Sequence, residues 1–325
     1  MSSRNRKIYV YRGRPRRNNN FNTFCTVLGF IFLICALDTY SKKSENQLEL
    51  VNDEELLTLI KTEKYVVVLF TKKDCEVCDN YETELIHIRE DLVDSLNAWV
   101  VKAVNSPMVR LYSPTKEPAL VFFRHGNPLL YDGPLNDELM LHTLTDNKEP
   151  VVKELSDDTF EHLTQAATGA TTGDWLVMFY SNECVDCQRL QARWEAVGSK
   201  LKTRMNTARV NKGANGAATS RRFEVQEVPS FILFRQGKYY RYTLSKHDVA
   251  SLVSFAEHGY KNARGVPVPV PLSPFDDLTI AIADYLRENQ WLFTVGLGTF
   301  GIGVLLALWH KIRSSKQKSP EKKKK

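Results

Sequence analysis

The residues with the clearest chemical potential are four cysteines in two equally spaced pairs, Cys75-Glu76-Val77-Cys78 and Cys184-Val185-Asp186-Cys187. Thiols three positions apart lie about one helical turn from each other. A thiolate that attacks a disulfide and forms a mixed disulfide therefore has a resolving thiol within reach. Four such sulfurs could also bind zinc, but a zinc ribbon separates its pairs by roughly 15–20 residues, and here the gap is far longer. The expected chemistry is dithiol–disulfide exchange, with no metal and no cofactor. The other two of the six cysteines, Cys25 and Cys35, sit in an apolar N-terminal stretch, so none is left for a structural disulfide framework.

An exchange site needs its attacking sulfur at the start of a helix, where orphan amides and the positive end of the dipole stabilise a thiolate. The sequence offers that position twice. Val66 to Phe70 and Leu176 to Tyr180 are apolar runs that suit buried strands of a mixed sheet, each ending shortly before a cysteine pair. Beyond the first pair, Tyr81, Leu85, Ile88 and Leu92 are spaced four, three and four. Leu190, Trp194, Val197 and Leu201 repeat that spacing at the same offsets, as one apolar face of a helix does. Cys75 and Cys184 are thus the expected nucleophiles, and Cys78 and Cys187 the resolving thiols. The second halves also repeat. Pro118 leads into Ala119 to Phe123 and then Arg124-His125-Gly126; Pro229 leads into Ser230 to Phe234 and then Arg235-Gln236-Gly237. Two such copies make two α/β domains, expected over residues 48–148 and 151–262.

The ends of the chain read differently. Residues 1–20 hold seven Lys or Arg and no acid, and an apolar run from Phe24 to Leu37 follows, so residues 1–41 read as a signal peptide or signal anchor. Residues 263–290 read as a Pro-rich spacer and juxtamembrane segment, extended through the Val-Pro alternation that ends at Pro271. Trp291 to Trp309 carries no charge and has a Trp at each end, which leads to the expectation of a transmembrane helix over 291–309. Residues 310–325 form a basic tail, cytosolic by the positive-inside rule, and Lys322 to Lys325 read as a retrieval signal. The expected location is the endoplasmic reticulum membrane, with both thiol domains in the lumen. Each tail carries +7 against a net charge of +6, which leaves −8 for residues 21–309 and argues against a nucleic-acid-binding core. His125, His247 and His258 read as solvated surface residues. Tyr239, Tyr240 and Tyr242 read as a cross-strand surface.

Together these features resemble the thioredoxin fold and, within it, the protein disulfide isomerase family and its membrane-anchored members of the endoplasmic reticulum. The resemblance covers residues 48–260. It is strongest through Met178 to Cys187, Trp194-Glu195, Arg222-Phe223, Val228-Pro229-Ser230 and Gly237 to Tyr242. It implies an α/β chain of two tandem thioredoxin-like domains plus a C-terminal transmembrane helix. It also implies cis prolines at Pro118 and Pro229, in the substrate-binding position beside the cysteines, and client proteins with thiols or disulfides as partners.

The sequence departs from that family at several positions. The isomerases carry Gly-His between their cysteines and Trp before them. Here the intervening residues are Glu76-Val77 and Val185-Asp186, preceded by Asp74 and Glu183. An acid beside a thiolate disfavours it, and Lys72 and Lys73 offset this at the first site. Leu69 and Met178 stand where the family buries a glutamate, and Gly133 to Leu135 and Thr243 to Ser245 lack the family's loop arginine. Glu117 precedes Pro118 where a neutral residue is usual. The expected function is a thiol-disulfide oxidoreductase acting on client proteins of the lumen, reducing or slow. The alternative is a redox-poor chaperone or escort of the same fold. Oligomeric state is left open.

Overall fold

The computed structural model describes residues 47–113, 117–169 and 172–316. The expected signal segment, with Cys25 and Cys35, and the terminal Lys322 to Lys325 lie outside the described residues. The chain forms two compact units, whose main boundary falls between Lys148 and Glu149.

The first unit is built on a mixed sheet. It comprises β1 (Glu49–Leu50), β2 (Tyr65–Thr71), β3 (Trp99–Val104), β4 (Ala119–Arg124) and β5 (Asn127–Leu130), in the spatial order β1-β3-β2-β4-β5. Strand β2 runs parallel to β3, with Val67 opposite Val100, and antiparallel to β4, with Phe70 opposite Ala119. As the central strand, β2 is buried along its whole length. That is why Val66 to Phe70 reads as a continuous apolar run and not as an alternation. Helix α1 (Asp53–Thr62) precedes β2 and is held by a capping box. The Asn52 side chain accepts from the N–H groups of Glu54 and Glu55, and the Glu55 carboxylate accepts from the N–H of Asn52.

Helices α2 (Glu76–His87) and α3 (Arg89–Leu96) follow β2. The periodic residues Leu85, Ile88 and Leu92 are buried. The helix nonetheless breaks at Ile88, which has φ −95° and ψ 2°, and no proline or glycine marks the break. A short turn α4 (Val109–Tyr112) and helix α5 (Asp137–Asp146) complete the set. Arg124, buried at the end of β4, donates to the carbonyl of Asn147 at 3.1 Å.

The second unit repeats the arrangement and adds an edge strand. Its elements are β6 (Lys153–Leu155), α6 (Asp157–Thr164), β7 (Trp175–Tyr180), α7 (Val185–Leu201), β8 (Asn206–Asn211), α8 (Ala217–Arg222), β9 (Ser230–Arg235), β10 (Lys238–Arg241), α9 (Val249–Glu257) and β11 (Val266–Pro267). The sheet order is β6-β8-β7-β9-β10-β11.

Successive residues of a strand point to opposite faces, and both faces of this sheet are filled. Helix α7, unbroken here, buries Leu190, Trp194, Val197 and Leu201. The Trp194 indole N–H donates to the carbonyl of Ala208 at 3.1 Å, and its ring lies 5.2 Å from Phe231. On the other face Phe223 stands 4.9 Å from Phe234, 5.5 Å from Phe160 and 5.6 Å from Tyr239. Tilted and edge-on aromatic pairs of this kind contribute about 0.5–1.5 kcal/mol each beyond their buried area.

Three expectations change. Tyr239 and Tyr242 are core residues, not a surface: Tyr239 joins the Phe223 cluster, and Tyr242 packs 5.1 Å from Phe255. The Val-Pro stretch is not wholly a spacer. Val266–Pro267 pairs with β10, Val268 is buried, and Arg222 donates to the carbonyl of Pro269 through two nitrogens at 2.9 and 2.6 Å. A buried guanidinium needs acceptors, and the proline-rich backbone, with its free carbonyls, supplies one.

The third change concerns the C-terminal segment. Beyond helix α10 (Pro274–Glu288), helix α11 runs over Gln290–Lys316. The expected transmembrane helix is withdrawn, because among the described residues no helix is long and apolar enough to cross a membrane.

Trp194 ties α7 to the sheet beneath the second cysteine pair. Trp194→Ala should destabilise the second unit by about 3–5 kcal/mol, the usual range for removing a buried large aromatic. Trp194→Phe should cost less, because it keeps most of the volume and loses chiefly the bond to Ala208. Urea unfolding followed by far-UV circular dichroism measures both.

Candidate dithiol active sites

Each cysteine pair sits where a central strand gives way to a helix. Cys75 is the N-cap of α2 and Cys184 the N-cap of α7, both with extended backbone. In each case the cap sulfur accepts from the N–H of the second cysteine, at 3.2 Å in the first site and 3.0 Å in the second. The sulfur thereby occupies the place of a capping oxygen, against the unsatisfied amides of the first turn. Both pairs are joined as disulfides. Within each pair burial is unequal: Cys75 and Cys184 are half-exposed, whereas Cys78 and Cys187 are 2% and 3% exposed. Only the cap sulfur can be reached from outside, so it is the one placed to attack. The buried partner is placed to release what has been attacked.

The structure brings a proline to each site. The Glu117–Pro118 and Val228–Pro229 peptide bonds are both cis. In the second site the carbonyl of Val228 lies 3.7 Å from the Cys184 sulfur.

The charges at the two mouths are less one-sided than their sequence suggests. Lys72 does not face Cys75 as a free cation; its ammonium pairs with Glu117 at 3.3 Å. Asp186, the acid between the second pair, is bridged by Arg189 at 3.3 Å. Lys73, Asp74, Glu76 and Glu183 are exposed to solvent, where screening weakens their action on a thiolate. Beneath the sites, Leu69 and Met178 are buried as apolar side chains, so no carboxylate occupies those two positions to take a proton from the second thiol.

One cationic group near the second site was not legible in the sequence. The loop before α9 has no arginine of its own, but Arg193 of α7 reaches it and donates to the carbonyl of His247 at 3.0 Å. Burial lowers the Arg193 pKa, while Asp248 and Asp186 raise it. His247 is half-buried against Phe231, at 5.2 Å, and not fully solvated. Burial depresses its pKa, the Arg193 charge depresses it further, and Asp186 partly opposes them. The helical spacing of Arg193, one residue before the core Trp194, was the only available hint.

Tyr180, at the end of the strand that leads into the second pair, has its pKa pushed up to about 12 by burial and by its hydrogen bond to Glu154. It is therefore a neutral anchor and not an acid–base group. A group able to hold a cation lies elsewhere: Glu84, His87 and Asp137 bring ligand atoms within 4.8 Å of one another. It sits toward the opposite end of α2 from Cys75 and contains no cysteine.

Because the folded-state pKa of His247 lies below its unfolded value, the unfolded chain binds more protons as the pH falls through that interval. Stability of the second unit should thus drop on going from neutral pH to below ~6, past the ordinary histidine value of about 6.5. His247→Gln should flatten part of that drop, as read from the thermal midpoint at several pH values.

Residues 151–258 match the thioredoxin family model. The chain is 37% identical over 146 residues to a thioredoxin domain-containing protein of Theileria parva, a match that covers 45% of this chain and 66% of that protein. It is 22% identical over 213 residues to protein disulfide-isomerase A4 of Rattus norvegicus, covering 62% of this chain and 32% of the relative. Among solved structures, ERdj5 in crystal form I aligns with 67% of this chain and 29% of its own, at 19% identity and a TM-score of 0.39. The chain thus spans less than two thirds of the length of these relatives. Its second unit is a thioredoxin domain, and its first repeats the same strand order and the same placement of a Cys-x-x-Cys pair.

Proposed function

We propose that this protein is a thiol-disulfide oxidoreductase that acts on client proteins through both cysteine pairs, in the lumen of the endoplasmic reticulum. One observation carries the reading: twice in the chain, a half-exposed sulfur caps a helix while its disulfide partner is buried behind it. In the dithiol form, the cap thiolate attacks a client disulfide. The client's S–S bond breaks, a mixed disulfide forms, and one client sulfur leaves as a thiolate. The buried cysteine, once deprotonated, then attacks the cap sulfur, which restores the internal disulfide and frees the second client thiolate. Two electrons have passed to the client; the reverse sequence oxidises it. The likeness to a protein disulfide-isomerase supports proteins as the substrates.

The second reading, a redox-poor chaperone or escort, draws on particular features. The thiolate-supporting charge of Lys72 is taken up by Glu117, and Leu69 and Met178 leave the buried cysteine without a proton acceptor at those positions. These features slow turnover without removing the exchange groups. The lumenal assignment rests on the sequence pattern of residues 1–41, basic and then apolar, and on a redox chemistry that an oxidising compartment sustains.

Removing a resolving cysteine leaves the attack intact and blocks the release. Cys78→Ala and Cys187→Ala should each accumulate client adducts on non-reducing gels, and adding Cys75→Ala or Cys184→Ala to the respective variant should abolish them. If neither resolving variant traps a client while the unmodified protein still retains unfolded polypeptides, the escort reading prevails. For the compartment, protease added to sealed microsomes should spare both cysteine domains until detergent is added. Digestion without detergent contradicts a lumenal location.

A further inference from the structure

The two sites differ at the residue that precedes the cis proline, Glu117 in the first and Val228 in the second. Strand β4 begins at Ala119, opposite Phe70 near the end of β2. The residues just before it, Glu117 and Pro118, therefore lie beside the segment Lys72 to Cys75 that leaves β2. The second site shows how close this position comes to the nucleophile: the carbonyl of the corresponding residue, Val228, is 3.7 Å from the Cys184 sulfur. Where the second site places an aliphatic residue, the first places a carboxylate.

That carboxylate is held unequally. The Glu117 side chain is 20% exposed, while its partner Lys72 is 58% exposed. The acid is set into the protein beside the cis peptide, and the base reaches it from solvent on a flexible stem. An ion pair with so exposed a partner is weak, so Lys72 is readily displaced. A half-buried carboxylate left without a partner is the less favourable state, so whatever displaces Lys72 is selected for positive charge. Asp74 and Glu76, exposed on either side of Cys75, disfavour an acidic client at the same mouth.

Resting on the oxidoreductase reading above, we propose that Glu117 is the specificity-determining residue of the first site. It favours client disulfides flanked by lysine or arginine, and Lys72 occupies its carboxylate until such a client displaces it. The second site, with Val228 in that position, lacks this preference.

The test uses the full chain with Cys184→Ala and Cys187→Ala, so that only the first site reacts. The reduced protein is mixed with two peptides that differ only in carrying arginine or glutamate next to a cysteine, each disulfide-linked to a chromophoric thiol. Release of the chromophore is followed at low ionic strength. The arginine peptide should react about fivefold faster, the size of one exposed-to-half-buried ion pair. High salt should shrink that ratio, and Glu117→Gln should remove most of it, leaving only what the exposed Asp74 and Glu76 contribute. In the reciprocal protein, with Cys75→Ala and Cys78→Ala, Val228→Glu should install the preference at the second site. Equal rates for the two peptides in the unsubstituted first site, or a ratio that Glu117→Gln leaves intact, overturns the proposal. Failure of both peptides to react at either site overturns the oxidoreductase reading, and this inference with it.

Discussion

The structure depends on one constraint, that a single sulfur atom be both fixed and reachable. Cys75 and Cys184 meet it by capping a helix. The cap bond from the second cysteine's N–H fixes the sulfur in place, and the helix N-terminus faces it with amides whose partners would otherwise be water. The strand before each helix is buried on both faces, so the cap cannot drift without exposing apolar surface. The paired thiol, three residues on, is carried into the interior by the first turn of the same helix. Position, reactivity and the order of attack all follow from this one junction.

The rest of each unit serves to hold that junction. In the second unit, Trp194 locks α7 to the sheet through one hydrogen bond and one aromatic contact, while the Phe160, Phe223 and Phe234 cluster packs the opposite face. The Val-Pro segment adds a sixth strand and covers the edge of β10, with Arg222 gripping its backbone. The first unit lacks an equivalent edge strand among its described residues, and its site helix is broken at Ile88. The two sites share a plan and differ in their support. They also differ in the charge at their mouths, where Glu117 stands opposite Val228 in the repeat.

Much of this was legible because it is written in local patterns. The cysteine spacing, the apolar runs of β2 and β7 and the three-four periodicity behind them are short-range signals, and two copies in register reinforce each other. What escaped the sequence depends on partners distant in the chain. Arg193 belongs to a helix whose apolar face shows in its periodicity, but the carbonyl it donates to, that of His247, is 54 positions away. Tyr239 and Tyr242 stand in a run with Lys238, Tyr240 and Arg241 that reads as surface until Phe223 and Phe255 pack against them. The ion pairs Lys72–Glu117 and Arg189–Asp186 cancel charges that the sequence presents as unopposed. The stretch from Trp291 to Trp309 misled in the other direction: it is uncharged and flanked by tryptophans, yet among the described residues no helix is long and apolar enough to cross a membrane.

The central claim is that both pairs are exchanging dithiols, and that the exposed acids Asp74, Glu76 and Glu183, although screened by solvent, still tilt the balance toward the disulfide form by opposing the thiolate. The most direct measurement is equilibration of the full chain with redox buffers of graded potential, reading each pair separately by mass spectrometry of alkylated cysteines. The account predicts two reversible two-electron titrations, each with a midpoint more negative than the ~−180 mV of protein disulfide isomerase. A pair that stays inert across the whole range, or midpoints at or above that value, would contradict it.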